Sequence, residues 1–173
     1  MSRSVLVALM CVGLGGLVPP SGVVRAEAGK AAAAGSGDRT ATATVRETVA
    51  PDAVVALTNE SRRREHLDPL KVNAKLTAAA NRKLDDMIQR AYFEHRSPDG
   101  RQPWDFIWTA GYCYRYAGEN LAHGYQDAAA QQQGWMDSRK HRENILNEHY
   151  TEIGVAARNG YAVVMFGRPI GDR

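Results

Sequence analysis

The sequence predicts an α+β domain in which helices pack on a small antiparallel sheet. Three observations carry this expectation. Leu76, Ala80, Leu84, Met87, Ile88 and Ala91 recur at helical spacing and form one apolar face. Near the C-terminus the period shortens to two: Ile153, Val155 and Ala157 alternate, as do Tyr161, Val163 and Met165. Asn159-Gly160 separates these runs, and that dipeptide is the strongest short-range signal for a hairpin turn.

The N-terminus reads as an address rather than as structure. Met1-Ser2-Arg3 supplies one positive charge, and Val5 to Val18 is an uncharged apolar run closed by Pro19-Pro20. The run is shorter than the roughly 20 residues a spanning helix needs, so residues 1–26 are expected to be a cleaved signal peptide. Ala26 and Ala28 both offer small-residue cleavage positions, and the mature form then carries no transmembrane anchor. Residues 27–50 are rich in Ala, Gly and Thr and too poor in large apolar side chains to offset chain entropy, so a flexible linker is expected. The folded domain is placed at residues 51–173.

Within it, Pro51-Asp52 opens a first helix with Val54, Leu57 and Leu67 on its apolar side. Arg62-Arg63-Arg64 reads as a solvated helix face. Asn73 is expected to cap the second helix, whose Lys83, Asp85, Asp86 and Arg90 are expected on the face away from the core. Ser97-Pro98-Asp99-Gly100 is a tight-turn sequence. A short helix is expected over Trp104 to Ala110, a strand at Leu121-Ala122-His123, and one long helix from about Gln126 to Leu146. The terminal hairpin completes the domain.

Charge and cysteines narrow the function classes. The chain has 22 basic and 19 acidic residues; cleavage after Ala26 removes Arg3 and Arg25, leaving 20 against 19. A nearly neutral protein has no electrostatic footprint for nucleic acid or an anionic membrane. Cleavage also removes Cys11, so Cys113 is expected to be a single, buried and inert thiol.

Five histidines could carry chemistry: His66, His95, His123, His141 and His149. None belongs to a local metal motif, for there is no HExxH and no pair of nearby cysteines. Nor is there a GxSxG elbow or a phosphate-cradling glycine loop. The segments FEHRSPDG, AGEN, WMDSRKHRENIL and YTEIGVA, in that order and spacing, resemble the bacterial branch of the CAP superfamily. That superfamily comprises the cysteine-rich secretory proteins, the venom antigens and the plant pathogenesis-related proteins, and its module is also called the SCP domain. The resemblance spans residues 53 to 167.

The resemblance implies an α-β-α sandwich, with the small antiparallel sheet held between helical layers. It also implies a central cleft lined by two histidines and two acids. His95, Glu119 and His141 match three of these positions, and Ser138 stands where the animal and plant members have the second acid. Asp137 is adjacent but points about 100° away on a helix. Lys140 stands where many bacterial relatives have Gly.

Such a cleft has several uses. His95 and His141 could bind a divalent metal such as zinc, with Glu119 as a third ligand or as the group orienting a histidine. The same residues could form a purely structural hydrogen-bonded cluster. The leading expectation is a secreted or periplasmic protein that acts by binding a metal, a small ligand such as a lipid, or an envelope or protein partner. The rival is a metal-assisted extracellular hydrolase of peptide or cell-envelope substrates, with Glu119 as general base. A Ser138–His141 hydrolase lacks a third orienting group and is weaker still.

Overall fold

Tyr161–Pro169 is a strand buried on both faces, and the rest of the domain is arranged around it. The computed structural model describes residues 23–25 and 49–171. In chain order the elements are β1 (Val23–Arg25), α1 (Pro51–Arg64), β2 (Lys71–Val72), α2 (Ala74–Gln89) and α3 (Pro103–Thr109). They continue with β3 (Tyr114–His123), α4 (Ala128–Asp137), α5 (Arg139–Ile145), β4 (Glu152–Arg158) and β5 (Tyr161–Pro169). Apart from β1, the predicted signal peptide and linker lie outside the described residues, except for Val49 and Ala50.

The sheet order is β1-β3-β5-β4-β2. β5 runs antiparallel to β3 on one side and to β4 on the other. The two short edge strands are parallel to their neighbours: β1 to β3 at Leu121–His123, and β2 to β4 at Glu152–Ile153. The sheet is therefore mixed, with the expected antiparallel pairing confined to its three central strands. The β4–β5 turn places Asn159 and Gly160 at φ 55° and 77°. Both are left-handed, as a two-residue turn matched to strand twist requires.

Alternation along β5 separates two cores. Val163 and Met165 pack with Leu76, Ala80, Leu84 and Met87 of α2 and with Phe106 and Ile107 of α3. Ala162, Val164 and Phe166 face Val54 of α1, Trp135 of α4 and Ile145 of α5. The result is an α-β-α sandwich, and it explains why the hairpin strands carry apolar residues on both faces. α2 lies so close to β4 that a Cβ on Gly154 would strike the Leu76–Thr77 backbone.

Several expectations are corrected, among them Lys83 and Asp86 of α2, which are buried rather than on a solvated face. Arg62 is not on a solvated face but 2% exposed, and its guanidinium donates to the carbonyls of Asp68, Ile145, Asn147 and Tyr150. The long helix over residues 126–146 is two helices. Ser138, at φ −89° and ψ 117°, ends α4 and begins α5, as a residue type favoured at helix N-termini can. In the uncleaved chain Cys113 is disulfide-bonded; the single thiol is the expectation for the chain without residues 1–26.

Candidate functional site

His95 follows α2 in a short loop, and Glu119 lies in the middle of β3. The His95 Nδ1 is 2.6 Å from Glu119 Oε1. The Glu119 side chain is 1% exposed and that of His95 20%. Ala117 and Leu121, two positions either side of Glu119, belong to the core beneath α2, so strand alternation turns Glu119 to that face. In the Nδ1–H tautomer the His95 ring donates this bond and the Glu119 oxygen accepts it. Glu119 Oε2 is buried without a hydrogen-bond partner among the described residues.

His141 comes from α5 and is fully buried. Its Nδ1 is 2.8 Å from Ser138 Oγ, the residue at the break between α4 and α5. The serine that stands in place of the second acid thus bonds the second histidine. Asp137 is exposed and accepts instead from Gln133 Nε2.

Two asparagines join these halves. Asn144 of α5 donates from Nδ2 to the Glu119 carbonyl and to Asn120 Oδ1, at 3.0 and 2.8 Å. Asn120 in turn donates to the His141 carbonyl at 3.1 Å. All of these groups are buried, so the pair fixes the spacing of Glu119 and His141 through their own main chains. Both asparagines lie within the motifs that carry the family resemblance, yet the sequence alone assigns them no role. A pair of amides in two motifs that meet in space was the available signal.

The remaining histidines lie elsewhere. His66 lies two residues beyond α1, at φ 58°. His149 is exposed and stacks on Tyr116 at 4.5 Å. His123 packs with Phe93 and Tyr161 at the far end of β3.

The side chains present limit how a metal such as zinc could be held. Among the described residues, no group of three or more His, Cys, Asp or Glu side chains is placed to hold a metal ion. Glu119 is engaged by His95 through Oε1, in the manner of a carboxylate that orients a ligating imidazole. A closed structural zinc site with four protein ligands is therefore not formed among the described residues.

Comparison with known proteins agrees with this architecture. The model of the CAP cysteine-rich secretory protein family matches residues 55–165. The chain is 41% identical over 102 residues to the Bacillus subtilis protein YkwD, covering 59% of this chain and 40% of that one. It is 30% identical over 115 residues to the Bacillus subtilis membrane protein YlbC, covering 66% of this chain and 33% of that one. Among solved structures, an extracellular SCP-domain protein of Bacillus anthracis superposes with a TM-score of 0.65 at 32% identity, covering 68% of this chain and 39% of that one. An outer surface protein of Borrelia burgdorferi shares the fold, with a TM-score of 0.63 at 20% identity, covering 68% of this chain and 91% of that one. The chain thus spans two fifths or less of the curated relatives' length. A sheet between two helical layers, superposing on a solved SCP-domain protein at 32% identity, is the architecture of an SCP-type domain. The chain belongs to the CAP family of cysteine-rich secretory proteins.

Proposed function

We propose that the protein is exported and acts by binding, through a cleft formed by His95, Glu119, Ser138 and His141. The occupant is a divalent transition metal such as zinc. The observation that carries this reading is the 2.6 Å contact between His95 Nδ1 and a Glu119 carboxylate that is 1% exposed. A carboxylate that fixes one nitrogen of an imidazole sets the ring's orientation, as it does for histidines that ligate metals. Ser138 holds the second imidazole in a comparable way.

Export rests on the signal-like N-terminus and on a solved relative described as extracellular. Among the described residues, no helix is long and apolar enough to cross a membrane. When bound, zinc would supply Lewis acidity and an open coordination position. His95 and His141 would hold it, while Glu119 would orient the first ring.

Calorimetric titration with zinc tests the reading. The wild type is expected to bind, and a His95→Ala/His141→Ala double variant to lose that binding. Equal binding by the two, or none by the wild type, removes the metal site. A lipid or an envelope protein would then be the occupant to test against the same double variant. The hydrolase reading requires turnover that Glu119→Gln abolishes while metal binding persists.

A further inference from the structure

Lys83 and Asp86 are charged residues of α2 that the core buries, at 0% and 9% exposure, against the sequence expectation of a solvated face. Both are directed at the loop that carries His95. The Lys83 ammonium donates to the Glu94 carbonyl at 2.8 Å, the His95 carbonyl at 2.7 Å and Tyr92 Oη at 3.0 Å. These bonds employ all three of its protons. It also lies over the rings of Tyr92 and Phe106, at 4.7 and 5.5 Å from their centroids.

Asp86 grips the loop on either side of His95. Its Oδ2 accepts from Tyr92 Oη at 2.5 Å and from Ser97 Oγ at 2.7 Å. Its Oδ1 receives Arg101 at 2.6 Å and Arg90 at 3.1 Å. Burying an ammonium and a carboxylate is costly unless every polar atom is satisfied, and a helix that needed only to pack could use apolar residues here. All three Lys83 bonds and two of the Asp86 bonds end on residues 92–97, the loop whose His95 ring contacts Glu119.

We propose that Lys83 and Asp86 are positioning residues of the cleft. The ammonium fixes the His95 main chain and the carboxylate fixes Tyr92 and Ser97, so that the imidazole meets Glu119 in one orientation. The consequence for metal affinity rests on the binding function proposed above; the positioning itself does not.

The test compares Lys83→Met with Leu84→Ala in the full-length protein. Met keeps the volume and removes the donors, whereas Leu84→Ala loosens the same helix through a core side chain that is 1% exposed. Two readouts are taken where circular dichroism shows each variant folded. One is the downfield ring Nδ1–H resonance of His95 bonded to Glu119, and the other is zinc affinity. Lys83→Met is expected to lose the resonance and to bind zinc about tenfold more weakly, the usual effect of removing an outer partner of a ligand. Leu84→Ala is expected to keep both.

A Lys83→Met protein with the wild-type resonance and affinity overturns the proposal. So does equal loss of the resonance in both variants, which would mark simple destabilisation. If the wild type binds no zinc, the metal reading falls and the resonance alone decides the positioning role. Should Lys83→Met fail to fold, Tyr92→Phe, which removes only the bridging hydroxyl, carries the same test: loss of the resonance supports the positioning role, and its retention overturns it.

Discussion

Individual positions show how little slack surrounds the buried Glu119 and His141. Replacing Asn144 by Ala strips the donors from the Glu119 carbonyl and Asn120 Oδ1, both buried. Leaving buried acceptors unpaired is expected to cost about 2–3 kcal/mol, measured by denaturant unfolding. Two glycines fail for different reasons. Gly154→Ala would drive a methyl into the Leu76–Thr77 backbone, which is not a movable side-chain tip. A loss of at least about 2 kcal/mol is expected, with α2 displaced. Gly160→Ala meets nothing within 4 Å, but its φ of 77° is left-handed. Its cost should be smaller, about 1 kcal/mol. Equal melting temperatures for the two glycine variants would contradict this distinction.

Helices and strands were legible in the sequence to the degree that their causes were local. The terminal hairpin needed only an alternating pattern and Asn159-Gly160, and α2 needed only its apolar spacing and the Asn73 cap, whose side chain accepts from the Lys75 amide. The charged residues that enter the core were not legible, because their partners are remote. Arg62 reads as one member of a basic run, yet it serves carbonyls up to 88 residues away. Lys83 could have been noticed, since it sits three residues after Ala80 and four before Met87, on the buried side of the helix. His95, Glu119 and His141 were legible only through motif resemblance, while the Ser138 break had no Gly or Pro to announce it. Arg62→Leu should lower stability by about 3 kcal/mol or more, because it strips the donors from carbonyls at the junction of α1 and α5. A thermal melt unchanged by that substitution would show the guanidinium to be dispensable.

Stability across the molecule should fall at both ends of the pH scale. Burial pushes the Asp86 carboxyl up, but hydrogen bonds from Tyr92 and Ser97 and the charges of Arg101 and Arg90 outweigh it and hold the group below its ordinary value. Its contribution is present above about pH 4 and lost as pH falls through the lower folded value. Burial raises the Tyr150 hydroxyl to about 12. That contribution is present below about pH 10 and lost as pH rises from there through the folded value. Lys83 works the other way: burial lowers its pKa against the pull of Glu119 and Asp86, so its penalty shrinks as pH rises. Melting temperature recorded against pH is expected to show a plateau with an acid and an alkaline shoulder. Asp86→Asn should flatten the acid one.

The sheet order gives the chain a timetable. β5 is the last strand in sequence and lies at the centre of the sheet, between β3 and β4. A ribosome releases residues from the N-terminus onward, so neither core can close and Glu119 has no neighbouring β5 until residues 161–169 emerge. Up to that moment α1 and α2 are amphipathic helices without their sheet. The domain therefore cannot fold piecemeal behind a growing chain. It folds late and as one unit, once the hairpin that closes both cores is present.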